Sequence, residues 1–407
     1  MRFSIWFASA VLIAFLFGSV DAARCQLPPA QRQLKTYTLS NSPKSADISP
    51  DERLVVTEYI EKREGQDSAT NTFVDFVRLW DFKGNKLIAE FGAPQSDEKA
   101  VKGHLYASGA SSGRFVRFTP DGKSVVALID GTIHVLRATD LIELRAIPLV
   151  KPQSFTRTVR NRVRVIEPSI RTMEISPNGN LIAVLWLREM THGSIQLYDL
   201  SLAESILSWD TPQGWISHTR ELVWHPDGKS LLLAIPNAIP CMSQGGQPDA
   251  FAFDVQTGAI EHEFTTGLLV GSIAVNSDNR VLAVDRNCIG VLKNHDPMLK
   301  VFDLTTGKNI RKVSGRGSGV RYWVSASADG SRFLAFTGKM RVKFDWGDAL
   351  PYGVPVDETF SVWSLVNYEG IVTSQNIPGL RGSEIRLSSR GNYAVSYGKA
   401  SFVYELP

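Results

Sequence analysis

Ser49-Pro50-Asp51-Glu52, Thr119-Pro120-Asp121-Gly122, Ser176-Pro177-Asn178-Gly179 and His225-Pro226-Asp227-Gly228 are four copies of one turn. Three looser copies follow: Asn276-Ser277-Asp278-Asn279, Ser327-Ala328-Asp329-Gly330 and Ser388-Ser389-Arg390-Gly391. Asp or Asn caps its own backbone and Gly tolerates positive φ, so each quartet reverses the chain between two strands. The run after the turn is almost wholly apolar, as in Val125-Val126-Ala127-Leu128-Ile129 and Leu181-Ile182-Ala183-Val184-Leu185. Such strands are covered on both faces. The third residues of the turns stand at 51, 121, 178, 227, 278, 329 and 390. A β-rich unit recurring every roughly 50–70 residues marks a propeller array.

Each unit reads as four strands, a to d. In the fifth these are Ser272–Val275, Val281–Val284, Leu299–Leu304 and, after the Thr305-Thr306-Gly307-Lys308 turn, Asn309–Val313. The fourth repeats the pattern with Leu231–Ile235, Ala250–Val255, a Gln256-Thr257-Gly258 turn and Ile260–Phe264. The seventh supplies only Glu384–Leu387, Tyr393–Tyr397 and Ser401–Leu406 before Pro407. Leu34–Leu39 is a strand with no partner ahead of the first unit. The expected fold is therefore all-β: a seven-bladed β-propeller of four-stranded blades, closed by that N-terminal strand completing the last blade. Closure removes two raw sheet edges.

Arg78-Leu79-Trp80-Asp81, Gln196-Leu197-Tyr198-Asp199, Phe251-Ala252-Phe253-Asp254 and Lys300-Val301-Phe302-Asp303 end the third strands of their units. At these positions the chain resembles WD-repeat-like propellers, over nearly all of residues 34–407. The Gly-His dipeptide of that family stands only at Gly103-His104. The Asp and Thr-Gly turns are equally similar to exported bacterial propellers of the Tol and YVTN types. The resemblance implies the fold and leaves function open.

The N-terminus reads as an address. Arg2 precedes an uncharged, mainly apolar run from Phe3 to Val20, and Val20-Asp21-Ala22 offers small residues for cleavage after Ala22. Residues 1–22 are expected to be a signal peptide, 23–33 a linker and 34–407 the propeller, secreted or periplasmic, with no membrane span after cleavage. An uncleaved anchor is the competing reading. The net charge of +3 and the missing nucleic-acid motifs argue against a nucleic-acid partner. The chain is expected to be a monomer. Three cysteines, Cys25, Cys241 and Cys288, leave one unpaired. Cys241 and Cys288 fall in b–c loops of consecutive units, which a propeller sets side by side, so a Cys241–Cys288 disulfide is expected. Three free thiols, or Cys25 pairing with either, remain open.

The a–b and c–d turns share one face of such a disc, and the long connections take the other. These are 61–71, 92–113, 151–169, 236–249, 286–298 and 339–359. Loops of such length in a compact domain are usually functional or disordered, and their crowding on one face favours function. Two constellations stand out there. Arg157, Arg160, Arg162 and Arg164, with Arg171 beyond, alternate with Val159, Val163 and Val165. As a β-ribbon, three arginines would share one side, suited to carboxylate or phosphate; Glu167 and Asp210 could neutralise part of it. The second is Phe344, Asp345, Trp346, Asp348, Tyr352, Asp357 and Glu358, where Trp346 and Tyr352 suit stacking on a sugar or peptide. Both have a plain alternative, a solvated strand face and a loop packed on the rim.

No catalytic motif or metal spacing is legible. The seven histidines are scattered, with His225 in a turn and His262 in an outer strand, both expected to be exposed and structural. No catalytic residue, metal site or cofactor is assigned. The expected function is a non-catalytic exported scaffold for a protein or peptide partner on the long-loop face. The alternative is a lactonase- or quinoprotein-dehydrogenase-like enzyme with its site at the central channel.

Overall fold

The computed structural model describes residues 35–39, 43–63, 72–93, 115–159, 162–189, 191–214, 222–235, 248–266, 270–285, 298–314, 323–327, 332–343, 352–364, 370–375, 384–398 and 401–406. The signal peptide and linker expected at 1–22 and 23–33, and Cys25, Cys241, Cys288, Arg160 and Trp346, lie outside the described residues.

After β1 (Lys35–Leu39), the strands follow in fours. The first sheet is β2 (Ser45–Ile48), β3 (Leu54–Arg63), β4 (Thr72–Asp81) and β5 (Lys86–Ala93). The second is β6 (Phe115–Phe118), β7 (Ser124–Ile129), β8 (Thr132–Arg137) and β9 (Glu143–Pro148). A pair, β10 (Phe155–Val159) and β11 (Arg162–Ile166), stands apart. The third sheet is β12 (Ser169–Ile175), β13 (Leu181–Glu189), β14 (His192–Asp199) and β15 (Glu204–Asp210). The fourth is β16 (Leu222–Trp224), β17 (Ser230–Ala234), β18 (Ala250–Asp254) and β19 (Ile260–Phe264). The fifth is β20 (Val270–Val275), β21 (Arg280–Asp285), β22 (Met298–Asp303) and β23 (Asn309–Ser314). The sixth is β24 (Trp323–Ala326), β25 (Arg332–Lys343), β26 (Tyr352–Ser364) and β27 (Gly370–Gln375). Last come β28 (Glu384–Leu387), β29 (Tyr393–Tyr397) and β30 (Ser401–Glu405), and β1 pairs antiparallel with β30 to complete that sheet. The result is an all-β array of four-stranded antiparallel meanders, with no helix among the described residues.

Each turn is held by its own first residue. Ser49 Oγ donates to Asp51 Oδ1 at 2.6 Å and accepts from Leu54 N at 2.9 Å. Thr119 and Ser176 repeat this with Asp121 (2.7 Å) and Asn178 (2.6 Å). The Pro and Gly are read between sheets as well as within turns. Gly179, at φ 76°, sits where a Cβ would come 3.3 Å from Pro120 of the preceding turn. His225 departs from expectation: it is buried, 6% exposed, because its Nδ1 lies 2.8 Å from Asp227 Oδ1 and takes the place of the turn hydroxyl. His262 is half-buried in β19.

The aspartates ending the third strands cap the next turn. Asp254 Oδ1 accepts from Thr257 N and Oγ1, both at 2.7 Å, and Asp303 Oδ1 from Thr306 N and Oγ1, both at 2.9 Å. The Thr257 hydroxyl and N–H hold the Asp254 carboxyl below its usual range, as Thr306 does for Asp303. Just after each such turn the register slips by one residue, and the bulge extrudes Ile88, Leu144, Ile206 and Ile310 onto the rim.

The core lies in layers between successive sheets, as alternating strands of one sheet pack on the next. Phe115, Leu128 and Ile147 of the second meet Met173, Ile182 and Trp186 of the third. The last sheet meets the first through Leu39, Ile48, Phe82, Tyr393 and Val403. The turn at Glu52 crosses that seam. Glu52 holds φ 60°, where the other turns carry Gly or Asn279, and it is 6% exposed. Its Oε1 accepts from Ser388 Oγ at 2.6 Å and its Oε2 from Asn392 Nδ2 at 2.9 Å. Replacing Glu52 with Ala keeps the backbone strain and orphans these donors, so a loss of about 2–3 kcal/mol in urea unfolding is expected. Glu52→Gly, which relieves the strain, should lose about 1 kcal/mol less.

The sixth unit differs from the sequence reading. Residues 339–359 are not one long loop: β25 runs to Lys343 and β26 begins at Tyr352, paired through Lys343↔Tyr352. The alternation of Lys339, Arg341 and Lys343 with Met340 and Val342 continues the strand period. The first unit shortens likewise, with Arg63 paired to Thr72.

Candidate functional site

Two residues before each turn's first residue, the innermost strand carries one equivalent position. These positions are Asp47, Arg117, Glu174, Val223, Ala274, Ser325 and Arg386. The innermost strands touch in succession, β2 to β6, β12, β16, β20, β24 and β28, and β28 returns to β2. The charged members therefore converge on the axis. Arg386 clamps Glu174 with two bonds, Nη2 to Oε1 at 2.6 Å and Nη1 to Oε2 at 3.2 Å, reaching from the last sheet to the third. Its Nε lies 3.2 Å from Asp47 Oδ1 on the first. Asp47 Oδ2 accepts from Phe118 N at 2.9 Å. Arg117 donates through Nη1 to Val116 O (2.8 Å) and Ser45 Oγ (3.1 Å), with Nε 3.8 Å from Glu174 Oε2.

The four side chains are only 11–29% exposed. Burial works against the Arg386 charge, but the Glu174 and Asp47 carboxylates outweigh it and hold the guanidinium above its usual range. Burial pushes the Asp47 carboxyl up, while Arg386, Arg117 and the Phe118 N–H hold it back. Two cations face two anions, and all four carboxylate oxygens are engaged by a guanidinium or a backbone N–H. This is a strut across the axis rather than an acid–base pair poised for chemistry. On the same ring Ser325 Oγ accepts from Leu387 N at 2.9 Å, and Val223 and Ala274 supply small apolar positions.

A second buried acid sits at the opposite end of the fourth sheet. Asp249 accepts from Thr266 N at 2.7 Å and Thr266 Oγ1 at 2.8 Å, tying the start of β18 to the exit of β19. Burial pushes its carboxyl up to about 6, against the pull of those donors and of Lys300. A folded-state value above the unfolded one means the fold binds the proton more tightly. The stability that protonation gives is complete below pH 4 and is lost as pH rises through 6. Asp249→Asn keeps the bond from Thr266 N, reverses the second so that the amide donates to Thr266 Oγ1, and removes the titration. Relative to that variant, the wild type is expected to lose about 2–3 kcal/mol between pH 4 and pH 7, read from urea midpoints.

The arginines singled out in sequence occupy the separate pair β10–β11. Arg157 stands opposite Arg164 and Val159 opposite Arg162. Of the acids expected to neutralise them, Glu167 pairs with Lys151 at 3.2 Å and Asp210 with Arg188 at 3.1 Å. Tyr352 opens β26, so it belongs to a strand. The aromatic constellation otherwise lies outside the described residues, apart from Asp357 and Glu358 within β26. The structure brings the Arg positions 157, 162 and 164 together and does not unite them with Tyr352. The axial ring was missed by sequence reasoning. Its signal was present in the constant offset from each turn, but the residue types change from unit to unit.

No family model matches the chain, and no curated protein matches it. Among solved structures it is similar to a chain of hydrazine synthase from Kuenenia stuttgartiensis, at 12% identity over 93% of this chain and 98% of that one, with a TM-score of 0.54. It is also similar to a chain of a mitotic checkpoint complex, at 12% identity over 94% and 95%, with a TM-score of 0.53. At that identity the likeness establishes a propeller-type fold and nothing about chemistry.

Proposed function

We propose that the protein is an exported, seven-bladed propeller, closed by β1, that serves as a non-catalytic scaffold for a protein or peptide partner on its long-loop face. One observation carries this reading: the asymmetry between the two faces. The turns between first and second, and third and fourth, strands are short and capped by their own side chains. At the opposite ends of the strands the next sheet strand begins only after a long stretch of sequence, from Ala93 to Phe115, Pro148 to Ser169, Ala234 to Ala250 and Asp285 to Met298. The cycle of touching innermost strands supports seven blades, and the neutralised axial strut supports a scaffold over an enzyme. Residues 1–22 support export. In sequence Cys241 falls between β17 and β18 and Cys288 between β21 and β22, strands of neighbouring sheets. Their disulfide belongs to this reading, and peptide mapping without reductant is expected to recover them joined.

The test compares two equally exposed positions. Val165 on the ribbon is 63% exposed and Leu202 on a short turn is 62% exposed. A photo-cross-linking residue at position 165 should give a specific adduct in the native compartment, and the same residue at 202 should not. Adducts from 202 alone would defeat the proposal.

A further inference from the structure

The pair β10–β11 belongs to none of the four-stranded sheets. Among the described residues each of its strands has only the other as a partner, so both outer edges present a row of backbone donors and acceptors. Directly opposed residues of an antiparallel pair share a face, and successive residues alternate. The register therefore puts positions 155/166, 157/164 and 159/162 on one face and 156/165 and 158/163 on the other. One face thus carries three arginine positions on two adjacent rungs, with Arg157 directly across from Arg164. Like charges set opposite each other are unfavourable in an isolated ribbon. Glu167, just past the end of β11, is engaged by Lys151, and Asp210, at the end of β15, by Arg188. Thr156 and Val165, on the other face, are exposed to solvent.

We infer that this ribbon is a strand-addition platform for an extended acidic segment of a partner protein. The inference rests on the scaffold reading and names its partner's chemistry. An open strand edge offers backbone hydrogen bonds that only another extended polypeptide matches in full. Carboxylates at alternate positions of the added strand fall on the face that carries Arg157, Arg162 and Arg164. Guanidinium groups take carboxylates through paired donors, which selects acidic residues at that two-residue period.

The probe is a fluorescent peptide of alternating Glu and Val, titrated into the full-length mature chain at low salt and read by anisotropy. Three controls accompany it: the same peptide N-methylated at alternate residues, a single-stranded oligonucleotide of equal charge, and anionic vesicles. Expected are saturable binding of the plain peptide, and at least about tenfold weakening both by N-methylation and in the Arg157→Ser/Arg162→Ser/Arg164→Ser variant. That variant should melt like the wild type, because the ribbon lies outside the sheets. No binding of the plain peptide overturns the inference. So does equal binding of the N-methylated peptide, which leaves charge alone, or tighter binding of the oligonucleotide or vesicles that the triple variant abolishes. A specific adduct from position 165 combined with any of these failures sinks strand addition and leaves the scaffold reading standing.

Discussion

Arg386→Met is expected to cost about 3–5 kcal/mol of unfolding free energy in urea. The magnitude follows from what is left behind. Glu174 loses its bidentate partner and Asp47 its guanidinium, so two carboxylates remain in a site that shields them from water. Arg117 offers Glu174 only a 3.8 Å approach through Nε, with Nη1 committed to Val116 O and Ser45 Oγ. Asp47→Asn should be milder, since an amide oxygen still accepts from Phe118 N and only the contact to Arg386 Nε is lost. In the double variant Arg386→Met/Glu174→Gln the Glu174 charge is gone and only that of Asp47 is left without Arg386, so the loss should shrink by about 2 kcal/mol relative to additivity. Additive losses would mean that the clamp across the axis contributes no specific coupling, and that the side chains there act by packing alone.

How much of this was legible in the sequence differs sharply between the sheets and the axis. β19, β28 and β29 begin and end where apolar alternation and the Thr-Gly and Ser-x-x-Gly turns place them. In those units local chemistry and tertiary packing agree, because each strand is bounded by a turn that caps itself. The role of Asp254 and Asp303 was also readable, as a cap whose acceptor meets Thr257 or Thr306 three residues on. The axial ring was not. Asp47, Glu174 and Arg386 come together only after three sheets have been arranged around one axis, and no spacing along the chain brings an Arg to a Glu on that path. Glu52 is a similar case. It stands where Gly closes the other well-formed copies of the turn, yet its carboxylate is what joins the first turn to the last. In the sixth sheet the error runs the other way: the stretch 339–359, with Gly353 and Pro355 in it, reads in sequence as one long connection. Pro355 stands opposite Met340 in the hairpin, with Val354 and Val356 keeping the alternation on either side.

Removal of the residues up to Leu39 is expected to lower stability by more than about 3 kcal/mol and to convert a monodisperse chain into associating species. β1 contributes five rungs to β30, from Lys35↔Glu405 to Leu39↔Ser401. Leu39 is 3% exposed within the layer shared by the last sheet and the first, and the Tyr37 ring packs edge-on against Phe82 at 5.3 Å. Burying one such aliphatic side chain is worth roughly 1.5–3 kcal/mol, before the tyrosine is considered. Tyr37 also donates to Glu405 Oε2 at 3.0 Å, fixing the register at the outer end. Without β1 the outer edge of β30 has no strand to pair with, and a second copy's β30 is the nearest equivalent partner. Melting and size-exclusion chromatography of the truncated chain read the two effects separately. A synthetic peptide spanning residues 34–40 supplies the missing rungs, so its addition should restore both the melting temperature and the single species. If the truncated chain melts with the full-length protein, β1 is an ornament on the last sheet and closure rests on Glu52 and Arg386. If it melts early and the peptide rescues nothing, the loss lies elsewhere in residues 1–39, and the strand is not what holds the last sheet to the first.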